Sequence, residues 1–201
     1  MTTPHIKICG VTQPEDIALC EQFEVEYIGL NFVPSSPRFL SLEAAQELRS
    51  AMKATKAVGV FADMPMEEVE ELAEVLSLDM VQLHGNEDAD DIRSIDVPVI
   101  KAFRYVPWDE ELETYLFAGA SIMLDGQANG SQADWKTITQ LPEELCEQLW
   151  LAGGLNPDNV AEAIKDVHPY AVDCASGVEQ APGIKDPLLL KTFVDVARSQ
   201  S

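Results

Sequence analysis

The 201-residue chain sets 35 acidic against 13 basic residues, a formal net charge of -22, with 46% hydrophobic content. A surface this acidic repels nucleic-acid phosphates and anionic lipid, so neither nucleic acid nor membrane is an expected partner. Length and apolar content suffice for one buried core, and a single domain over residues 1–201 is expected.

In chain order, short β-branched or apolar runs alternate with amphipathic stretches. Strands are predicted at residues 6–10 (IKICG), 27–32 (YIGLNF), 57–61 (AVGVF), 80–85 (MVQLHG), 99–103 (VIKAF), 121–126 (SIMLDG), 149–154 (LWLAGG) and 171–177 (AVDCASG). Helix starts are marked by a capping-box pattern at Thr12 and Glu15, by Ser41 before LEAAQELRSAM, and by Asn156-Pro157 and Asp186-Pro187. Apolar stripes at helical spacing run through Val69, Leu72, Ala73 and Leu76, through Val160, Ala163, Ile164 and Val167, and through Leu190, Phe193, Val194 and Ala197. A repeated strand-loop-helix unit predicts a parallel sheet, and eight of them predict closure into a compact (β/α)8 barrel with short loops. An open doubly wound sheet is the alternative, but no GxGxxG follows the first strand.

The four cysteines, Cys9, Cys20, Cys146 and Cys174, form no CxxC pair, and the N-terminal residues have neither a basic nor a long apolar stretch. Reduced thiols and a cytoplasmic location are expected. Sequence leaves a monomer and a homodimer equally open.

In a barrel of this kind the site lies at the C-terminal ends of the strands. The residues there are Cys9, Arg38, Gln82, His84, Asp125, Gly153, Gly154, Ser176 and Gly177. The glycine turns after the seventh and eighth strands are candidates for phosphate binding through backbone N–H groups, which lets an acidic protein hold an anion; the plain alternative is a tight turn. Cys9 and Asp125, approaching from opposite sides, can flank a bound sugar, one removing a proton and the other delivering one; the plain alternatives are a small core filler and a turn residue. Strand alternation puts Lys7 beside Cys9 and faces it towards Asp173, so an ion pair between Lys7 and Asp173 inside the barrel is predicted, with the ammonium favouring a thiolate at Cys9. Arg38 suits a substrate carboxylate and His84 a proton carrier, each set against an ordinary surface or structural role. Lys101 is a weaker candidate for a Schiff base. A metal held by Cys9, His84, Asp125 and Cys174 is disfavoured by the absence of close ligand spacing.

The strings KICGVTQPED, NFVPSSPRFLS, AVGVFAD, VQLHGNED, PVIKAF, LAGGLNPDNVAEAI and VDCASGVEQAPGIKD, in this order over nearly the whole chain, resemble the phosphoribosylanthranilate isomerase family of tryptophan biosynthesis. The resemblance implies a cofactor-free Amadori rearrangement of a phosphosugar substrate, N-(5-phosphoribosyl)anthranilate, to 1-(2-carboxyphenylamino)-1-deoxyribulose 5-phosphate. It implies that Asp125 is the general acid and Cys9 the general base. Arg38 would hold the anthranilate carboxylate, and Gly153, Gly154, Ser176 and Gly177 the phosphate. Lys7, Gln82, His84 and Asp173 are supporting residues by their strand positions alone. The sequence departs from the family's GGTG and FDW strings at QANGSQADW, and from DVSSGVE at Ala175. The alternatives are the histidine-pathway sugar isomerase, which carries an aspartate where Cys9 stands, and a catalytically silent phosphosugar-binding barrel.

Overall fold

The structure, a computed structural model, describes residues 3–104, 110–126, 145 and 148–200. Eight strands form: β1 (His5–Cys9), β2 (Tyr27–Asn31), β3 (Lys56–Phe61), β4 (Met80–Leu83), β5 (Val99–Arg104), β6 (Ser121–Asp125), β7 (Trp150–Ala152) and β8 (Ala171–Cys174). They run parallel in chain order, and β1 pairs with β8 to close the barrel. Each sits within the predicted run or one residue beyond it. The ends differ where backbone conformation forbids a strand: Gly10, Gly153 and Gly154 all have positive φ, so β1 and β7 stop before them.

Around the barrel lie α1 (Pro14–Gln22), α2 (Leu42–Ala51), α3 (Met66–Leu76), α4 (Ala89–Ser94), α5 (Glu110–Phe117), α6 (Val160–Val167) and α7 (Pro187–Arg198). A small antiparallel pair, β9 (Glu179–Ala181) and β10 (Ile184–Lys185), lies between β8 and α7. The QANGSQADW stretch and Cys146 lie outside the described residues.

Strand alternation sorts the core into two layers. Ile6, Ile8, Ile28, Leu30, Val81, Leu83, Ile122, Leu124 and Leu151 face outward and pack with the stripes of the helices. In α6 the stripe Val160, Ala163, Ile164 and Val167 is buried throughout, as is Leu190, Phe193, Val194 and Ala197 in α7. Full burial of each large apolar side chain stabilises by roughly 1.5–3 kcal/mol. The inner layer is smaller, with Tyr27, Val58, Ile100, Ala102, Met123, Trp150, Ala152 and Ala171 filling the barrel. Its floor is aromatic: Tyr27 meets Trp150 edge-on at 4.9 Å, and Tyr27 and Tyr170 share a hydroxyl hydrogen bond of 3.1 Å.

Ser41 and Asp186 cap α2 and α7 as predicted, through Ala44 N and through Leu188 N and Leu189 N. The Thr12–Glu15 capping box does not form. Gln13 is the N-cap of α1, and the Thr12 hydroxyl instead donates to Gly183 O at 2.6 Å, tying the loop after β1 to the turn between β9 and β10. Asn156 acts one turn ahead of α6: its side chain takes Asp158 N in a local turn, and the helix proper starts at Val160.

Candidate active site

Lys7 and Cys9 sit two residues apart on the inward face of β1. Lys7 is fully buried, and its Nζ donates to Asp173 Oδ1 at 3.0 Å, across the register pair that joins β1 to β8. The predicted ion pair therefore exists. Burial works against the ammonium, but the Asp173 carboxylate and the Cys9 sulfur outweigh it and hold Lys7 above the usual lysine range. For Cys9 the balance falls the other way. Desolvation pushes its thiol up, with Lys7 opposing and Asp173 adding to the rise. The thiolate is thus a high-energy form that Lys7 keeps within reach.

Gly29 on β2 makes room for this group. A Cβ there would lie 2.8 Å from Cys9 Sγ and 3.2 Å from Lys7 Nζ, so any side chain would push the thiol and ammonium out of place.

Asp125 ends β6, separated from β1 by β7 and β8, and so faces Cys9 across the mouth. Its Oδ2 is 3.4 Å from His84 Nε2, and His84 Nδ1 is 3.3 Å from Gln82 Nε2, making a chain Gln82–His84–Asp125 along the rim. Gln82 is buried, whereas His84 and Asp125 each keep about a third of their side-chain surface open to solvent.

Arg38 lies over Gly10 beside Cys9. Its fork is taken by Glu179, with Nε donating to Oε1 at 2.8 Å and Nη2 to Oε2 at 2.6 Å. Three of the guanidinium's five N–H bonds remain for another acceptor. Glu179 also accepts from Lys185 Nζ at 2.8 Å and from Gly183 N; burial works against its charge, but the cations Arg38 and Lys185 outweigh it and hold Glu179 below the usual glutamate range. Lys185 is buried and donates further to Cys9 O at 2.7 Å and Ala175 O at 3.3 Å, stitching the tips of β1 and β8 together.

The two glycine turns lie side by side after β7 and β8. Gly153 has φ of 91°, and a Cβ on it would stand 2.1 Å from Gly126 N, so only glycine fits. Asn159 Nδ2 closes the first turn by donating to Gly154 O at 3.0 Å. Ser176–Val178 form a 3-10 turn, and Gly177 lies so close to Leu155 O that a Cβ would clash at 2.0 Å. Among the described residues the N–H groups of Gly154 and Ser176 have no hydrogen-bond partner, and both are available to an anion. The Cys174 thiol turns away from the mouth and donates to Leu155 O at 3.0 Å.

Lys101 lies outside this constellation. Its neighbours Ile100 and Ala102 face into the barrel, so Lys101 faces the helix layer, where Nζ donates to Gly85 O at 2.7 Å and Glu87 Oε2 at 2.8 Å. A buried, paired ammonium on the wrong face cannot attack a substrate carbonyl. Among the described residues no group of three or more His, Cys, Asp or Glu side chains comes together as a metal site would require.

The family profile for N-(5'phosphoribosyl)anthranilate (PRA) isomerase matches residues 6–196. The chain is 38% identical over 205 residues to the N-(5'-phosphoribosyl)anthranilate isomerase of Myxococcus xanthus, covering 97% of this chain and 96% of that one. The chain belongs to the N-(5'-phosphoribosyl)anthranilate isomerase family.

Solved members of the family share the whole architecture. The Thermotoga maritima phosphoribosylanthranilate isomerase superposes with a TM-score of 0.87 at 35% identity, over 98% of this chain and 99% of that one. A phosphoribosyl anthranilate isomerase in complex with reduced 1-(o-carboxyphenylamino)-1-deoxyribulose 5-phosphate also gives a TM-score of 0.87, at 34% identity and the same coverage.

The structure gathers Lys7, Cys9, Arg38, Gln82, His84, Asp125, Gly153, Gly154, Asp173, Ser176 and Gly177 at one rim or just beneath it, and leaves Lys101 out. Sequence reasoning passed over Gly29, Asn159, Glu179 and Lys185. The glycine inside a strand was a signal for Gly29, since a strand-interior glycine marks close approach. Glu179 and Lys185 stand 141 and 176 residues from Arg38 in the loop after β2 and Cys9 at the tip of β1, and spacing offers no trace of that.

Proposed function

We propose that the chain converts N-(5'-phosphoribosyl)anthranilate into 1-(2-carboxyphenylamino)-1-deoxyribulose 5-phosphate, with Asp125 as general acid and Cys9 as general base. The observation that carries this reading is the placement of a thiol and a carboxyl at the tips of β1 and β6 in a barrel whose relatives bear this activity in their names.

Asp125 protonates the ring oxygen of the ribose, and the ring opens to a Schiff base on the anthranilate nitrogen. The Cys9 thiolate then removes the proton from the second ribose carbon, and the enolamine tautomerises to the ketone. Lys7 lies against the thiol and stabilises its charged form, while Asp173 keeps Lys7 charged within the barrel. The free N–H groups of Gly154 and Ser176, with the backbone around Gly153 and Gly177, hold the phosphate. Arg38, oriented by Glu179, offers its remaining N–H bonds to the anthranilate carboxylate. Acid, base, carboxylate and phosphate contacts are all supplied by this chain.

The reaction leaves mass unchanged, so the test follows structure. Substrate generated in situ should lose its anthranilate-type fluorescence, and borohydride should trap the product as a reduced ketone. A protein that binds the reduced product but leaves the substrate unchanged would be a phosphosugar-binding barrel instead.

A further inference from the structure

Gln82 is buried, and its Oε1 is a side-chain oxygen with no hydrogen-bond partner among the described residues. A buried carbonyl left without a partner is destabilising, so its retention beside the mouth calls for a use. The other end of the same amide, Nε2, meets His84 Nδ1 at 3.3 Å, and His84 Nε2 meets Asp125 Oδ2 at 3.4 Å.

An amide presents a donor at one end and an acceptor at the other, and half a turn about its last bond exchanges them. With Nε2 towards the ring, Gln82 donates to an unprotonated Nδ1, and His84 is neutral with its hydrogen on Nε2. With Oε1 towards the ring, Gln82 accepts from a protonated Nδ1, and the orphaned oxygen gains its bond. A ring that carries a hydrogen on Nδ1, whether imidazolium or neutral, therefore finds its acceptor in Oε1.

We propose that Gln82 and His84 form the relay that returns a proton to Asp125 after each turnover, with Gln82 as the positioning residue that serves both charge states of the ring. This rests on the reading of Asp125 as the acid. Having given its proton to the ring oxygen, Asp125 is a carboxylate. The His84 imidazolium passes its Nε2 proton to Oδ2: the N–H bond breaks, the O–H bond forms, and the ring is left neutral with Nδ1–H held by Gln82 Oε1. The bare Nε2 then takes a proton from solvent, to which a third of the side chain is open. Solvent removes the proton that Cys9 took from the ribose, so the proton count closes over the cycle. The charged groups facing this relay are Asp125 from β6, Arg104 beside it on β5, Lys101 and Glu87 under the loop that carries His84, Asp63 after β3, and Asp173 on β8. All of them stay in place in the His84 and Gln82 variants below.

The test is kcat against pH in dilute buffer for His84→Ala and Gln82→Leu, with Asp125→Asn alongside. For His84→Ala the expected result is a kcat lower by roughly ten- to a hundredfold, less than the loss of the acid itself, with KM within about threefold and kcat partly restored by added imidazole. For Gln82→Leu the alkaline limb of the kcat profile should move to lower pH, because the imidazolium has lost its acceptor. His84→Asn keeps the size of the ring's near edge and guards against a loss that is only structural; it should lose kcat as His84→Ala does. Wild-type kcat and pH profile in the His84 and Gln82 variants, with Asp125→Asn inactive, would overturn the relay and leave the acid assignment standing. An active Asp125→Asn would instead overturn the acid assignment on which the relay depends.

Discussion

At the scale of single residues, the site is governed by one buried cation. Lys7 Nζ touches both Asp173 and the Cys9 thiol from a fully buried position, and desolvation alone would keep Cys9 protonated. In Lys7→Met the stabilisation of the thiolate disappears, so Cys9 ionises at higher pH and the acidic limb of kcat/KM should move to higher pH. The same substitution leaves Asp173 buried without its partner, which costs about 3–5 kcal/mol. Adding Asp173→Leu should recover much of that stability in a urea titration and bring the limb part of the way back, since Asp173 adds to the rise at Cys9. An unmoved limb in Lys7→Met itself would remove Lys7 from the electrostatics of the base. Gly29→Ala offers an independent check, since its Cβ would sit 2.8 Å from Sγ. A large fall in kcat with normal thermal unfolding is expected there, measured by turnover beside a melting curve.

At the scale of elements, loops at the two rims are held by carboxylates that accept several backbone N–H bonds at once. Glu21 on α1 takes Lys53 N, Ala54 N, Thr55 N and the Thr55 hydroxyl, fixing the turn that leads into β3. Glu21→Ala should lower stability by about 1–3 kcal/mol through the donors it strands, read as a lower urea midpoint, with kcat unaffected because the turn lies at the far end from Cys9. The elements themselves were largely legible in the sequence. The short apolar runs of the strands, buried on both faces as in β1, and the 3.6-residue stripes of α3, α6 and α7 are local consequences of which faces meet the core. Cap assignment failed at α1 because Gln13, not Thr12, precedes the helix, and the Thr12 hydroxyl is turned away from its N–H groups to donate to Gly183 O, far along the chain. The site was legible where a residue ends a strand or lies in the loop just after it. Cys9 and Asp125 end β1 and β6 and His84 follows β4, whereas Glu179 and Lys185 sit on the β9–β10 excursion and reach the mouth by tertiary contacts alone.

At the scale of the whole molecule, the barrel closes only when the first and last strands pair, and Lys7–Asp173 and Lys185 both cross that seam. One cooperative unfolding transition is expected of such a closure. Its acid dependence has a definite sign. Glu21 and Glu179 both titrate below the ordinary glutamate range in the folded chain: burial opposes this, but their hydrogen-bond and cationic partners outweigh it. Groups depressed on folding bind more protons when unfolded, so their contribution is complete above the ordinary glutamate value of about 4.3 and is lost as pH falls through the folded values. Thermal melts from pH 6 to pH 3 should show the midpoint falling mainly below about pH 4.5, and Glu179→Gln should flatten that fall. The measurement that bears most directly on the central claim is the turnover of N-(5'-phosphoribosyl)anthranilate by Cys9→Ala and Asp125→Asn beside the unmodified chain, with binding of the reduced product measured on the same samples. Kcat should fall by roughly 10²- to 10⁴-fold in each variant while the product analogue still binds. Near-normal turnover in either would contradict the assignment of base and acid to the tips of β1 and β6.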